Sequence, residues 1–345
     1  MFYRYEIKEH NNELALFLYI LPNEEFGKDI EHKPKLETKK KIKHYIQNKG
    51  IKFHGNKIYI VINGMIIASF DYQHEINLNL DEIVLRQEDR KTVKMTMDEY
   101  LKGVLSHEIY PFFHLESLKA QAVLSRTYAI KQMLELGYID NDNYFQKYQN
   151  PNFYKFVWIE KYNEYSSKIN EAISTTKGEY LVYQNRCINP YFHLTNNGFT
   201  EKIPNDISTT SVVSKWDLDS PFYQEIIHDS VEHISKLLNV SVDDVKKCEI
   251  LEISSTHKVK KVKIGENILD GKIFAKLLGL RSDDFTMQFL DDYVIITTRG
   301  DLNNLGLSQY GASELGNRGY TYQQIVNYYF PHANMLKYNN ERLQK

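Results

Sequence analysis

Glu108 is the residue of this chain best placed to move a proton. It stands in Ser106-His107-Glu108-Ile109-Tyr110-Pro111, ahead of Leu115-Glu116-Ser117-Leu118-Lys119-Ala120-Gln121-Ala122-Val123-Leu124-Ser125-Arg126-Thr127-Tyr128-Ala129. A lone carboxylate can give a proton and take one back when its pKa is raised toward neutrality. Two features push Glu108 that way. It falls at the end of a helix, where the macrodipole is negative, and Tyr110, Phe112 and Phe113 follow it, so that burial beneath them would disfavour the charged form. Gln121 and Arg126 are polar residues in an otherwise packed segment, available to hold a substrate hydroxyl or the Glu108 carboxylate. The same spacing also fits a solvated Glu and a structural Arg, because a single carboxylate is a weak signal.

The elements that must position these groups are legible. Thr96 and Glu99 form a Ser/Thr-x-x-Glu capping box, so a short helix is expected to start at Met97. Leu101, Val104 and Leu105 give it one apolar face, and Pro111 disfavours helical geometry at Tyr110, so the chain turns there. In the second helix Leu118, Ala122, Ser125 and Ala129 lie along one stripe and Val123, Thr127, Ile130 and Leu134 along another, with small residues that allow close approach of a neighbour. That pattern predicts a buried helix.

The segment around Glu108 and its following helix resembles the signature of the stage II sporulation protein D and amidase-enhancer family. Further segments match in the family's order. Tyr191-Phe192-His193-Leu194-Thr195-Asn196-Asn197-Gly198-Phe199-Thr200-Glu201 is similar to one of its elements, as are Trp216 with Ser220-Pro221-Phe222, and Leu269-Asp270-Gly271 with the Leu277-Leu278-Gly279-Leu280-Arg281-Ser282 run. Gly306-Leu307-Ser308-Gln309-Tyr310-Gly311-Ala312 with Gly319-Tyr320-Thr321-Tyr322 resembles the closing element. The likeness spans about 77–338.

The resemblance implies an α+β domain that acts on peptidoglycan glycan strands by lytic transglycosylation. The bond between N-acetylmuramic acid and N-acetylglucosamine breaks without water, and the muramyl C6 hydroxyl closes on C1 to leave a 1,6-anhydro end. One carboxyl can serve as acid and then base, so the paired carboxylates of hydrolysing glycosidases are not required, and Glu108 alone suffices. The resemblance further implies that Gln121, Arg126, Tyr128, His193, Thr195, Asn197, Thr200, Asn303, Ser308 and Gln309 orient the substrate. It suggests strands stripped of stem peptides as the preferred form. Two departures stand out. The family's Gly-His-Gly-Val-Gly reads Leu302-Asn303-Asn304-Leu305-Gly306, so Asn303 replaces a His and cannot take up a proton near neutral pH. Leu194 and Asn196 replace two serines. The alternative reading is a glycan-binding module that enhances a partner cell-wall amidase without cutting, and a third is a cytoplasmic interaction protein on a repurposed scaffold.

Composition sets limits. The 345 residues suffice for one large or two moderate domains, and a net charge of −2 gives no reason to expect nucleic acid. The aromatic skew, 26 Tyr and 17 Phe against 2 Trp, fits either a sugar-lined groove or ordinary core filler. Cys187 and Cys248 make no disulfide framework. Cys187 and His193 are six apart on what reads as one strand, hence on one face, but two ligands are not a metal site and no cofactor is expected. The apolar run 14–22 is short and lacks a basic flank, so neither a signal peptide nor a spanning helix is read, and export expected of the family has no visible route. We read an N-terminal extension at 1–76 with a hairpin, a Lys-rich helix at 36–47 containing Lys39-Lys40-Lys41-Ile42-Lys43, and a second hairpin whose strands, 57–62 and 65–70, flank Asn63-Gly64. The glycan-processing domain follows at 77–338, with a partly helical insertion at 138–168, and a polar tail at 339–345.

Overall fold

A computed structural model describes residues 2–10, 13–20, 57–62, 65–71, 82–87, 89–141, 146–184, 186–204, 206 and 209–338. The Lys-rich helix expected at 36–47, the Asn63-Gly64 tip and the tail at 339–345 lie outside the described residues.

The chain divides into two compact units. The first, Met1–Leu78 with Leu134–Leu136, contains a four-stranded sheet of β1 (Phe2–His10), β2 (Glu13–Ile20), β3 (Lys57–Ile62) and β4 (Met65–Asp71) in that order. Both expected hairpins are present, and β2 runs parallel to β3 between them. The apolar run of β2 suits a strand with a neighbour on each side. Leu16, Phe17 and Leu18 are buried in succession, and Phe17 stacks on Tyr59 with ring centroids 4.9 Å apart.

The second unit comprises Asn79–Met133 and Gly137–Lys345. Strands β5 (Glu82–Arg86) and β6 (Thr92–Thr96) pair antiparallel, and the short β7 (Ile139–Asp140) joins β5 in parallel. The last residue of β6 is also the cap of α1 (Met97–Glu108). The Glu99 N–H donates to Thr96 Oγ1 at 3.2 Å, and the Thr96 N–H donates back to Glu99 Oε2 at 2.8 Å, which is the expected capping box. Thr96→Ala is therefore expected to cost about 1 kcal/mol, measurable as a lowered urea midpoint at unchanged slope. The helix stops where expected, with Ile109 in extended backbone.

Helix α2 (Leu115–Leu136) is buried over most of its length, as its pattern predicts, the exposed Leu134 and Leu136 marking its end. The expected insertion resolves into β7, a short helix α3 (Tyr154–Trp158) and the first half of α4 (Tyr162–Thr175), which packs on α1.

Two apolar cores organise the rest. In the first, Ala120, Val123 and Leu124 of α2 pack against β8 (Glu179–Tyr183), against β17 (Leu307–Ser308), which pairs in parallel with β10 (Phe192–His193), and against the closing helices α8 (Gln309–Asn317) and α9 (Tyr322–Tyr329). The strands β9 (Arg186–Cys187) and β18 (Asn334–Lys337) flank β8. In the second core, α5 (Val231–Leu238), α6 (Val242–Lys246) and α7 (Gly271–Leu277) cover two three-stranded sheets. These have the orders β11 (Gln224–Ser230), β16 (Tyr293–Arg299), β15 (Phe285–Leu290) and β12 (Glu249–Ile253), β13 (Val259–Ile264), β14 (Asn267–Asp270). Small mixed sheets with helices and no βαβ repeat make this an α+β fold, as expected. No helix among the described residues is long and apolar enough to cross a membrane.

Candidate functional site

Glu108 is the last residue of α1 and is half-buried. Its placement depends on Gly103, one turn and a half earlier. A Cβ at Gly103 would overlap the Tyr148 ring and the Gln149 carbonyl, so glycine there lets the segment 146–149 lie directly across the helix. Tyr100 fastens that segment, stacking on Tyr148 with centroids 6.0 Å apart and donating its hydroxyl to Gln146 Oε1 at 2.9 Å. As a result the backbone N–H of Lys147 donates to Glu108 Oε1 at 2.7 Å. Glu108 Oε2 has no hydrogen-bond partner among the described residues, and it is not among their sealed polar atoms. Burial raises the Glu108 pKa, against the opposing pull of the Lys147 N–H and ammonium. The buried rings of Tyr100 and Tyr154 are the ones that feel the Glu108 charge. Tyr154 also meets His107 Nδ1 through its hydroxyl at 2.9 Å.

The backbone at Glu108 is held as well. Gln309 Nε2 donates to the Glu108 carbonyl at 2.7 Å and to Gln121 Oε1 at 3.3 Å, while Ser117 Oγ donates to the Gln309 carbonyl at 3.1 Å. Three residues read from the sequence, Glu108, Gln121 and Gln309, thus meet at one corner. Gln121 is fully buried and donates to Ser125 Oγ at 3.4 Å, so it braces this corner from behind.

The largest group that sequence reasoning missed is Asp217. Its carboxylate is 0% exposed and accepts five hydrogen bonds. Thr195 Oγ1 (3.0 Å), the Asn196 N–H (3.2 Å) and Ser308 Oγ (2.6 Å) donate to Oδ1, while Asn196 Nδ2 (3.1 Å) and Ser214 Oγ (2.5 Å) donate to Oδ2. Ser214 Oγ, its proton engaged, accepts from the Tyr329 hydroxyl at 2.9 Å, which in turn accepts from Trp216 Nε1 at 3.2 Å. Gly311 closes this arrangement, since a Cβ there would intrude on Tyr329, Asp217 and Trp216 together. Burial pushes the Asp217 carboxyl up to about 6, opposed by the donated bonds. The only advance signal was the match at Trp216, the residue next to it.

The other residues expected to orient the substrate lie away from the Glu108 corner, and most of them are engaged within the protein. Arg126 is 0% exposed and its guanidinium donates to the carbonyls of Ile173 (3.3 Å) and Glu179 (3.1 Å) and to Thr176 Oγ1, so it ties α2 to the end of α4 and makes no hydrogen bond to Glu108. Thr195 and Ser308 are fully buried on Asp217. His193 donates from Nδ1 to the Leu305 carbonyl at 3.0 Å and accepts at Nε2 from Asn196 Nδ2 at 3.2 Å, which occupies both ring nitrogens. Burial lowers its pKa to about 4, leaving it neutral at physiological pH. Asn197 Nδ2 donates to Asp284 Oδ2 (2.8 Å) and to the Thr256 carbonyl (2.7 Å), and its Oδ1 accepts from Asn304. Thr200 is spent on Thr210 and Val212. Tyr128 is half-buried, and Asn303 is exposed.

Cys187 and His193 do not share a strand. Cys187 lies in β9 beside β8, whereas His193 lies in β10 beside β17, because the chain leaves the first sheet at Asn189-Pro190. No group of three His, Cys, Asp or Glu side chains with metal-binding geometry occurs among the described residues.

Beyond Glu108 lies a group of rings. Tyr110 stacks with Phe112 (centroids 5.1 Å) and with Phe222 (5.2 Å), and Phe113 meets Tyr110, Phe112 and Tyr310 edge-on.

Comparison with known proteins adds the following. A family model described as stage II sporulation protein matches residues 86–183, which include Glu108 and the whole of α2. Over 261 residues the chain is 30% identical to stage II sporulation protein D of Bacillus subtilis (strain 168), a match covering 72% of this chain and 76% of that protein. The protein of the same name from Bacillus amyloliquefaciens is 30% identical over 263 residues, with the same coverage of 72% and 76%. The amidase enhancer of Bacillus subtilis (strain 168) is 24% identical over 299 residues, covering 69% of this chain and 40% of that protein.

Proposed function

Because the chain belongs to the stage II sporulation protein D family, we propose that it is a lytic transglycosylase of peptidoglycan glycan strands, with Glu108 as its single acid and base. A role at the cell wall in sporulation follows from the family. The finer reading rests on one observation above all, a half-buried carboxylate of raised pKa with one oxygen held by a backbone N–H and the other unpartnered among the described residues.

The steps follow from that geometry. Protonated at Oε2, Glu108 gives its proton to the oxygen leaving the muramyl C1, and the glycosidic bond breaks with the electron pair on that oxygen. The carboxylate so formed, still held at Oε1 by Lys147, takes the proton of the muramyl C6 hydroxyl as that oxygen bonds to C1. The carboxyl returns to its starting state, and no water is consumed. A raised pKa serves both halves, because it increases the share of protonated acid at a given pH and makes the carboxylate left behind a stronger base. The Gln309 and Lys147 contacts supply the fixed orientation that one residue doing two jobs needs.

Mass spectrometry of peptide-free glycan strands after incubation tests the reading. The expected products carry 1,6-anhydro-muramyl ends. Ordinary reducing ends would mean hydrolysis and would overturn it.

A second reading is favoured by one observation, the exposed Asn303 in place of the family's His. In it the chain binds glycan without cutting and enhances a cell-wall amidase, the activity named for its amidase-enhancer relative. Strands that co-sediment with the protein yet remain intact would select it.

A further inference from the structure

We propose that Tyr110, Phe112 and Phe222, braced by Phe113 and Tyr310, form a platform that binds the apolar face of a pyranose ring of the glycan strand beside Glu108. The inference rests on the glycan reading above.

The rings are held outward. Phe112 is 55% and Tyr110 41% exposed, whereas Phe113 beneath them is buried. Tyr110 and Phe112 are held by the rings they meet, and the neighbours that brace them are tied to the rest of the fold. The Phe113 carbonyl accepts from Lys168 Nζ and the Phe222 carbonyl from the Arg281 guanidinium. The Phe222 N–H donates to Ser220 Oγ at 3.1 Å, and the Tyr310 hydroxyl donates to the Asp219 carbonyl at 3.2 Å. Tyr110 stacks with both Phe112 and Phe222, the latter with its plane 5° away. Phe112 is the most exposed of these rings, so it offers the most open surface to a ligand.

A surface of this kind selects its occupant. A pyranose presents a flat patch of C–H groups on one face and a rim of hydroxyl and acetamido groups, which suits an aromatic face bordered by donors and acceptors. The Tyr110 hydroxyl, which has no hydrogen-bond partner among the described residues, supplies such a border, a feature without use for a purely apolar partner. Position argues the same way. The platform begins two residues after Glu108, and Tyr310 adjoins Gln309, whose amide holds the Glu108 carbonyl. A sugar resting on Phe112 therefore belongs to the same strand as the bond offered to Glu108, and the rigid anchoring lowers the ordering cost of binding it.

The test uses the full chain with peptide-free glycan strands, comparing wild type, Phe112→Ala, Phe112→Leu and Glu108→Gln by co-sedimentation and product analysis. Phe112 is exposed and caps no core, so its variants should fold, which circular dichroism checks. Glu108→Gln is expected to bind strands as wild type does. Phe112→Ala should bind roughly 5- to 100-fold more weakly, taking the loss of a flat ligand ring stacked on one aromatic side chain as the guide, and raise KM with little change in kcat. Phe112→Leu, apolar but without a ring face, should resemble the Ala variant. Wild-type binding by Phe112→Ala, with cutting intact, would overturn the platform and leave the transglycosylase reading standing. A wild-type protein that neither binds nor cuts the strands overturns both.

Discussion

Glu108→Gln is expected to lower the release of anhydro-ended fragments from peptide-free strands by roughly a hundred- to ten-thousandfold, the range lost when a general acid and base is removed. The substitution is close to a pure deletion of the proton. Glutamine at the end of α1 keeps an oxygen that can accept from the Lys147 N–H, and it leaves the Gln309 contact to the 108 carbonyl untouched, since that contact is to backbone. Stability should therefore hold while turnover collapses. Wild-type activity should also fall as pH rises through the Glu108 pKa, which burial has raised, because the step that breaks the bond needs the protonated form. The Gln variant has no such limb. Turnover retained within a few fold of wild type in Glu108→Gln would assign the proton transfer to another group and end the single-carboxylate mechanism.

Local signals carried this much of the site into view. The Thr96–Glu99 box and Pro111 act within a few residues of their own positions, so the start and stop of α1 were legible, and with them the place of Glu108 at a helix end. The two stripes of α2 described a helix buried on many sides, as it is. The first hairpin read in the N-terminal extension is present as β1 and β2. What local pattern could not supply was where a buried polar side chain spends its hydrogen bonds. Arg126 lies on the predicted helix, yet its partners are the carbonyls of Ile173 and Glu179, about fifty positions away. The same is true of Thr195 and Ser308. Their match to a family motif was real, but both point to Asp217, a residue with no periodic or spacing signal of its own. Cys187 and His193 appeared to share a strand because even spacing says which face a residue takes only when the strand is unbroken, and Pro190 breaks it.

Asp217→Ala is expected to destabilise the protein by ~3–5 kcal/mol, the loss typical of breaking a buried charge network. In a chain of this size that corresponds to a melting temperature lower by roughly 10 °C. The effect is large because the carboxylate joins segments far apart in sequence. Without it Thr195, Asn196 and Ser308 are left with buried donors and no acceptor, and Ser214 loses its link between Asp217 and Tyr329. Gly311→Ala should act on the same network from the other side, by driving a methyl group between Tyr329, Asp217 and Trp216. A melting temperature for Asp217→Ala equal to wild type would refute the role assigned to the carboxylate. The sign of the pH dependence separates anchoring of charge from simple packing. The folded pKa, about 6, lies above the usual carboxylate value, so between near 4 and that point the folded state holds a proton that the unfolded state has released. Wild-type stability must then fall as pH rises across this window, relative to Asp217→Asn, which has no proton to lose. The native state at neutral pH thus carries an anion that its burial disfavours, and the five donors converging on Asp217 offset only part of that cost. Ser308, one of those donors, is also the cap of α8 and the neighbour of Gln309, so the orientation of the Glu108 backbone is linked to this buried charge.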